Sequence, residues 1–338
     1  MNRKISFEDK IYVAGANGMV GSAICRNLRK KGYGNKNTGG SLLIPSSKEL
    51  NLLNSEDVKN WFKLNKPNIV ILAAAKVGGI LANSSYPYDF LFKNLKIQQN
   101  VIETAWLNGV KRFLFLGSSC IYPKFANQPI KEEELLTGEL EKTNEGYALA
   151  KITGIKLCES LRIQYGFDAI SLMPTNLYGP KDNYDSKNSH VMAALIKKFC
   201  LAKNKKSSYV TCWGSGKPER EFMHVDDLAE ACLFCLENWD PDHIKAPKNS
   251  NGEPLFYLNV GTGKDISITD LVKKISIETD FKGEIIWDKT KPDGTPKKQL
   301  DVTRINSLGW KSKISLDEGI KNTINLYRDG ITKGEIRI

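Results

Sequence analysis

The chain has 338 residues, 41% of them apolar and 26% charged, with a formal net charge of +11; that profile predicts a globular enzyme of two domains, or one large α/β unit with an appendage. No apolar run approaches the ~20 residues of a membrane helix, and Met1 to Lys10 holds no hydrophobic segment of signal-peptide type, so no membrane association is expected. The seven cysteines are odd in number and scattered, which excludes a disulfide scaffold and leads us to expect reduced thiols in the cytoplasm.

The positive charge suits a polyanion or a small substrate carrying phosphates. Its densest group, Lys197, Lys198, Lys203, Lys205 and Lys206, has no interleaved aromatics, so no nucleic-acid partner is expected. Cys232 and Cys235 form a C-x2-C within a helical pattern at Leu228 to Leu236. No second Cys pair or His cluster accompanies them, so they read as helix packing, and no metal site is expected.

Lys10 to Ala14 reads as a short strand. It leads into Gly15-Ala16-Asn17-Gly18-Met19-Val20-Gly21, and a helix pattern follows with Val20, Ile24 and Leu28 on one face. Glycines here let the backbone turn tightly and approach a diphosphate, and the helix start offers free N–H groups. Strand, Gly-rich loop and helix in that order predict dinucleotide binding through residues 15 to 21. Leu42 to Ile44 reads as a second strand, followed by Pro45-Ser46-Ser47-Lys48. The absence of an acidic residue there, with Ser and Lys at hand, points to NADP rather than NAD.

Asn54 to Leu64 reads as a capped helix, Asn68 to Ala73 as a third strand, Asp89 to Gly109 as a long helix and Lys111 to Leu116 as a fourth strand. Strands alternating with helices predict a parallel, doubly wound sheet. The fourth strand ends in Gly117-Ser118-Ser119-Cys120-Ile121-Tyr122-Pro123, where Ser118 can reach a ligand beyond the sheet edge. Tyr147 and Lys151 follow on one face of a helix. A cation near a phenol favours phenolate, so the spacing predicts a Tyr147 pKa drawn down from about 10 and a general acid/base role. Next come a strand at Ala169 to Met173, then Pro174-Thr175-Asn176-Leu177-Tyr178-Gly179-Pro180 and a polar stretch to His190. Glu221 to His224 reads as a return to the cofactor side with His224 structural. Trp239 to Pro254 reads as a surface insertion, Leu255 to Val260 as a strand and Ile268 to Thr279 as a helix.

The Gly-x-x-Gly-x-x-Gly loop, the strand-end serine and Tyr-x3-Lys together resemble the extended short-chain dehydrogenases/reductases. Longer blocks are similar to the GDP-L-fucose synthase family among them. These are Ala73 to Ile80, Gly117 to Pro123, Met173 to Pro180, Asn188 to Val191, Trp213 to Gly216, and Lys291-Pro292-Asp293-Gly294-Thr295-Pro296. The similarity runs from about residue 10 to about residue 325.

The resemblance implies a Rossmann-type doubly wound sheet with a smaller α/β substrate-binding lobe. The cofactor half would span 1–180 with a returning segment at about 220–260, and the lobe 181–219 and 261–338. It implies NADPH and a GDP-sugar substrate, GDP-4-keto-6-deoxymannose, epimerised at C3 and C5 and reduced at C4. Tyr147 would give a proton to the C4 oxygen, Lys151 would hold the ribose, and Ser118 would bind the carbonyl oxygen. Cys120 and His190 would be the epimerisation acid/base pair. Further cofactor contacts would come from Pro174, Thr175, Asn176, Leu177 and His190, and substrate contacts from Lys198, Trp213, Arg220 and Asp293. Two positions depart from the family's pattern, with Lys at 198 where Arg is more frequent and no Arg at 45–48. The resemblance also implies a homodimer in which Asp89 to Gly109 and Gly146 to Gln164 pack as a four-helix bundle. A nucleotide-sugar epimerase that retains its NAD would carry the same Ser-Tyr-Lys set, but Cys120 with His190 favours external acid/base epimerisation. A non-catalytic protein on this fold would be expected to have lost Tyr147 or Lys151.

Overall fold

The computed structural model describes residues 4–185, 188–291 and 293–336. Its first half alternates strand and helix: β1 (Lys10–Ala14), α1 (Met19–Lys30), β2 (Ser41–Leu43), α2 (Ser55–Asn65), β3 (Ile69–Leu72), α3 (Ile80–Ser85), α4 (Pro87–Leu107), β4 (Arg112–Leu116), α5 (Glu145–Tyr165) and β5 (Ala169–Pro174). Local chemistry sets several boundaries. The Asn54 side chain accepts from the backbone N–H groups of Glu56 and Asp57 and starts α2. Gly166, in the left-handed region at φ 68°, ends α5. β3 and β4 are buried along their whole length, as parallel strands covered on both faces must be.

The second half holds β6 (Asn176–Tyr178), α6 (Val191–Asn204), β7 (Tyr209–Trp213), β8 (Glu219–His224), α7 (Val225–Asn238), β9 (Tyr257–Val260), β10 (Asp265–Ser267), α8 (Ile268–Glu278), β11 (Glu284–Asp288), β12 (Lys297–Lys298), α9 (Thr303–Ser307) and α10 (Leu316–Lys333).

Six strands form one parallel sheet in the order β2-β1-β3-β4-β5-β9. The order reverses between β1 and β3, which opens a crevice beyond their carboxyl ends where ligands bind in such sheets. α4 lies along α5, and α1 along α7. β8 is the centre of a small mixed sheet, with β6 and β12 parallel to it and β10 antiparallel. β7 pairs with β11. Residues such as Phe199, Leu271, Ile275 and Ile324 make a buried cluster beneath these strands, separate from the core of the large sheet. The expected class, a Rossmann-type doubly wound parallel sheet with a smaller α/β lobe, is the one observed.

Two local expectations change. Glu221 to His224 lies in β8 of the mixed sheet, and the chain returns to the large sheet only with α7 and β9. Trp239 is buried rather than part of an exposed insertion. It continues the inward stripe of α7 formed by Cys232, Cys235 and Leu236. Among the described residues, no helix is long and apolar enough to cross a membrane.

Candidate active site

The Gly-rich loop sits at the switch point between β1 and β3. Gly15 has φ 85°, and a Cβ there would lie 2.8 Å from the backbone of Ala74. A Cβ on Gly21 would come within 2.1 Å of the Gly15 carbonyl oxygen. These two glycines let the loop lie against both the strand end and the helix start. Gly18 differs, because its nearest obstacle would be the Gly15 oxygen at 3.4 Å. It is the N-cap of α1 and supplies no side-chain cap, so the first N–H groups of the helix face the crevice as an anion site. Ala16 is buried, Asn17 exposed, and Met19 and Val20 half-buried as α1 begins. Beyond β2, Lys48 is exposed beside the Ser46 turn.

Pro174 to Leu177 leave the carboxyl end of β5 along the same edge. The Thr175 N–H donates to the Val260 carbonyl at 3.0 Å. The Thr175 hydroxyl and the Asn176 amide donate to the Glu221 carbonyl at 3.1 and 2.8 Å.

Four of the expected catalytic side chains converge at the end of β4. Ser118 starts a single helical turn, Ser119–Ile121, and its hydroxyl accepts from the Cys120 N–H at 3.3 Å. The same hydroxyl is hydrogen-bonded to Tyr147, which reaches in from α5. Lys151, one turn further on, is buried and donates to the Leu116 carbonyl at 2.7 Å. Its ammonium lies 4.9 Å from the Phe115 ring centre and 5.8 Å from that of Tyr147.

Burial dominates the ionisation of this cluster. It pushes the Tyr147 phenol up, reinforced by the neighbouring Cys120, while the Ser118 hydrogen bond opposes it. It lowers Lys151 to about 8, against a smaller opposite pull from Cys120. The expected lowering of Tyr147 by Lys151 is therefore reversed. The ammonium faces the ring and the Leu116 carbonyl, so its field does not offset the loss of water around the hydroxyl. Burial likewise pushes the Cys120 thiol up, and Lys298, Ser118 and Lys151 act in the other direction.

His190 stands on a different loop, at the N-cap of α6, where its side chain makes no capping bond. The residue is exposed along the cleft, yet enough protein surrounds the imidazole to lower its pKa by desolvation. Its segment is tied to the β3–α3 loop, where the Gly79 N–H donates to the Asn188 carbonyl at 3.1 Å. A Cβ on Gly79 would lie 2.6 Å from the Ser189 oxygen, so glycine permits this approach. A cavity of about 280 Å³, lined by Asn83, Phe90, Asn144 and Tyr147 among others, reaches the tyrosine from the side of α3 and α4.

The expected substrate residues lie on the smaller lobe. Trp213 ends β7 and is 53% exposed. The ammonium groups of Lys198 and Lys291 lie 5.4 and 5.7 Å from its ring centre. Lys198 also donates to the Thr211 carbonyl at 2.9 Å. Asp293 accepts from the Ser215 N–H at 2.6 Å and its hydroxyl at 2.8 Å, which holds the carboxyl below its usual range. Arg220, on β8, donates to the Glu219 carbonyl at 2.8 Å and feels Glu141 and Asp293. Pro292 of the same block lies outside the described residues. His224 is structural, its Nδ1 accepting from the Asp226 N–H at 3.3 Å. All seven cysteines are free and buried, Cys232 and Cys235 inside α7.

Spacing gives no sign of three further residues at the site, Lys298, Glu141 and Glu221. They arrive on β12, on the turn before α5 and on β8; register sets Lys298 opposite Arg220, while Glu141 comes in on the turn before α5. The one available cue was the second lysine directly after the Lys291 to Pro296 block.

Residues 11–246 match the NAD dependent epimerase/dehydratase family. GDP-L-fucose synthase 1 of Arabidopsis thaliana is 50% identical over 318 residues, 94% of this chain and 93% of that protein. GDP-L-fucose synthase of Escherichia coli is 48% identical over 321 residues, 95% and 97% of the two chains. A GDP-D-glycero-L-gluco-heptose synthase from Campylobacter jejuni, solved in the presence of NADPH, superimposes with TM-score 0.85 at 37% identity, covering 96% of this chain and 99% of that one. With its Gly-rich loop at the switch point and its Ser-Tyr-Lys cluster at the end of β4, the chain belongs to the NAD dependent epimerase/dehydratase family and, within it, to the GDP-L-fucose synthases.

Proposed function

We propose that this protein converts GDP-4-keto-6-deoxy-D-mannose to GDP-L-fucose by epimerisation at C3 and C5 and NADPH-dependent reduction at C4. The observation that carries the reading is the meeting of Ser118, Cys120, Tyr147 and Lys151 at one strand end. The crevice fits a dinucleotide, since the uncapped start of α1 offers N–H groups to a diphosphate and Gly18 leaves the space open. Residues Gly15 to Gly21, with Pro174 to Leu177, Lys151 and His190, would hold NADPH, which when bound supplies a hydride. The Campylobacter jejuni relative solved in the presence of NADPH supports that cofactor.

Ser118 binds the C4 oxygen and Tyr147 gives it a proton during reduction. A buried phenol with a raised pKa stays protonated at neutral pH, as a proton donor requires. Lys151, held by the Leu116 carbonyl, would hold the ribose of the cofactor. Epimerisation beside a ketone needs a proton removed on one face and returned on the other, and Cys120 and His190 divide these two tasks. Trp213 stacks on the nucleotide base, while Lys198, Arg220 and Asp293 engage the diphosphate and sugar. The cofactor half is 1–180 with the return from about 225 to 260, and 181–224 with 261–338 forms the substrate lobe.

The protein works as a homodimer in the cytoplasm, without nucleic acid or membrane. Tyr88, Phe92 and Leu107 on α4, with Leu149 and Ile163 on α5, are exposed along adjacent helices and support a four-helix interface. The deciding experiment incubates purified protein with NADPH and GDP-4-keto-6-deoxymannose and identifies the product by NMR. GDP-L-fucose with one NADPH consumed per product is expected. Turnover that leaves a 4-keto sugar and consumes no NADPH would show instead an epimerase that releases no oxidised dinucleotide.

A further inference from the structure

The turn that carries Cys120 is held more firmly at its ends than from within. Its inner bonds are long. The Cys120 N–H donates to the Ser118 hydroxyl at 3.3 Å, the Ile121 N–H to the Ser118 carbonyl at 3.3 Å, and the Tyr122 N–H to the Ser119 carbonyl at 3.4 Å. Such donors commonly sit about 2.9–3.0 Å from their acceptors, so these bonds hold the turn weakly. Its first end is the sheet itself, because the Gly117 N–H donates to the Leu172 carbonyl of β5 at 2.9 Å, one residue before Ser118. At its second end Tyr122 is wholly buried, and its hydroxyl donates to the Asn259 side-chain oxygen at 2.6 Å. Asn259 lies on β9, the outermost strand, and β5 stands between it and the strand that leads into the turn.

Asn259 is a fixed acceptor. It is wholly buried, and its amide nitrogen donates to the Ile130 carbonyl at 2.9 Å and the Asp301 carbonyl at 3.2 Å. Both amide hydrogens are used in that way, so the oxygen is left for Tyr122 and the phenol is the donor. The Asn259 N–H, on the outer edge of the sheet, donates to the Glu132 carboxylate at 2.9 Å. Glu132 is buried and paired in turn with Arg304 of α9. A buried polar network whose members are satisfied is rigid. Tyr122 therefore docks the Cys120 turn onto a frame made of β9, α9 and the 130–134 segment. Tyr257, two residues before Asn259 on the same strand, donates from its hydroxyl to the Glu132 carbonyl at 3.0 Å. That bond braces the frame without touching the turn.

We propose that Tyr122 and Asn259 are positioning residues for epimerisation, their hydrogen bond fixing Cys120 at the place from which it exchanges a proton with the sugar. The inference rests on the reading of Cys120 as one of the two epimerisation groups. Proton transfer at carbon is sensitive to placement, since a shift of about 1 Å costs about 10²-fold in rate. Cys120 stands midway between the two ends of the turn, two residues from Ser118 and two from Tyr122. Without the Tyr122 hydroxyl, Ser118 still follows directly on the paired end of the sheet. The end that binds the carbonyl oxygen stays in place while Cys120 is left on the weak bonds of the turn. Epimerisation therefore depends on the Tyr122 hydroxyl, and hydride transfer at C4 does not.

The two halves of the reaction can be read apart. With the keto-sugar and NADP in heavy water no hydride is available. Each exchange then breaks a C–H bond, leaves its electron pair in the enolate and returns a deuteron to that carbon, so deuterium at C3 and C5 measures epimerisation alone. A single turnover of GDP-L-fucose with NADP moves the C4 hydride to the nicotinamide and the hydroxyl proton to the protein, so the first NADPH formed measures hydride transfer alone. Tyr122→Phe keeps the ring and removes the hydroxyl. It is expected to slow deuterium entry by about 10- to 100-fold and to change hydride transfer by less than about threefold. Tyr257→Phe removes a buried hydroxyl from the frame and should lower the thermal midpoint comparably, with both rates within about threefold of wild type. Deuterium entry unmoved by Tyr122→Phe overturns the proposal. So does an equal fall in both rates, or a matching loss of deuterium entry in Tyr257→Phe, since either would mean general loosening. Asn259→Ser removes the acceptor and decides the point by the same two assays if Tyr122→Phe does not fold. Cys120→Ser, run alongside, separates the two readings. Deuterium entry that persists in it refutes the role of Cys120 and the proposal with it, whereas entry lost there but kept in Tyr122→Phe refutes the positioning alone.

Discussion

Lys151 spends its hydrogen bond on the Leu116 carbonyl, 2.7 Å away, and not on the tyrosine one turn before it. The strand that carries Leu116 thereby fixes a charge inside the protein. That charge costs stability. With its pKa lowered from 10.5 to about 8, Lys151 binds its proton less tightly in the folded chain than in the unfolded one. The penalty is complete below pH 8, where both states are charged. Between pH 8 and 10.5 the folded state has released a proton that the unfolded state keeps, so stability rises with pH. The cost at neutral pH is about 3 kcal/mol. Lys151→Met is expected to abolish reduction yet stabilise the cofactor-free protein by about 2 kcal/mol at pH 7, after allowance for the lost hydrogen bond. Urea unfolding at pH 7 and at pH 10 checks this, and the advantage should shrink at the higher pH.

Tyr147→Phe removes the proposed proton donor and the partner of Ser118. The NADPH oxidation rate with the keto-sugar is expected to fall by about 10²- to 10⁴-fold. Dinucleotide affinity, read by nicotinamide fluorescence, should stay within about twofold, because Tyr147 is not among the residues proposed to hold the dinucleotide. A comparable loss in affinity would assign Tyr147 to binding.

Gly21→Ala and Gly18→Ala test two different uses of glycine in one loop. A methyl at position 21 would lie 2.1 Å from the Gly15 oxygen, whereas one at position 18 meets only an ordinary contact at 3.4 Å. Gly21→Ala should lower the thermal midpoint by several degrees, as expected for about 1–3 kcal/mol of overpacking. Gly18→Ala should leave the midpoint nearly unchanged and weaken NADPH binding, seen by calorimetry, because its methyl enters the space left for phosphate.

Phe92→Asp combined with Ile163→Asp places a charge on each exposed helix stripe of α4 and α5. Light scattering at micromolar concentration should give twice the chain mass for wild type and one chain mass for the variant. A wild-type monomer removes the dimer from the proposal.

Much of the large sheet was legible because its signals are local. Ile69 to Leu72 and Phe113 to Leu116 are unbroken apolar runs, Asn54 caps its helix, and Gly15 to Gly21 announce a turn into a helix. Tyr147 and Lys151 were legible for the same reason, since helical spacing alone puts them on one face. Lys298 and Glu141 were not, because Lys298 comes opposite Arg220 only through the register of β12 with β8, and Glu141 acts on Arg220 from a turn remote in sequence; nor were the backbone partners of Glu221, which come from Thr262, Gly263 and Leu300. The sign of the Tyr147 shift was unreadable for a different reason. Spacing supplies the neighbouring charge, whereas the depth of the hydroxyl, which decides the outcome, depends on everything folded around it.

The sixth strand of the large sheet has a consequence for how the chain is made. β9 pairs with β5, yet the whole stretch from residue 175 to residue 256 separates them in synthesis. On a ribosome working at ~5–20 residues per second, β5 therefore waits on the order of ten seconds with one edge unpaired. An apolar edge left open that long is an invitation to join another nascent chain. Chains that stop before Tyr257 never close it, so early truncation should yield aggregates rather than a folded half-enzyme, and the cell's holding chaperones should meet this protein chiefly in that interval.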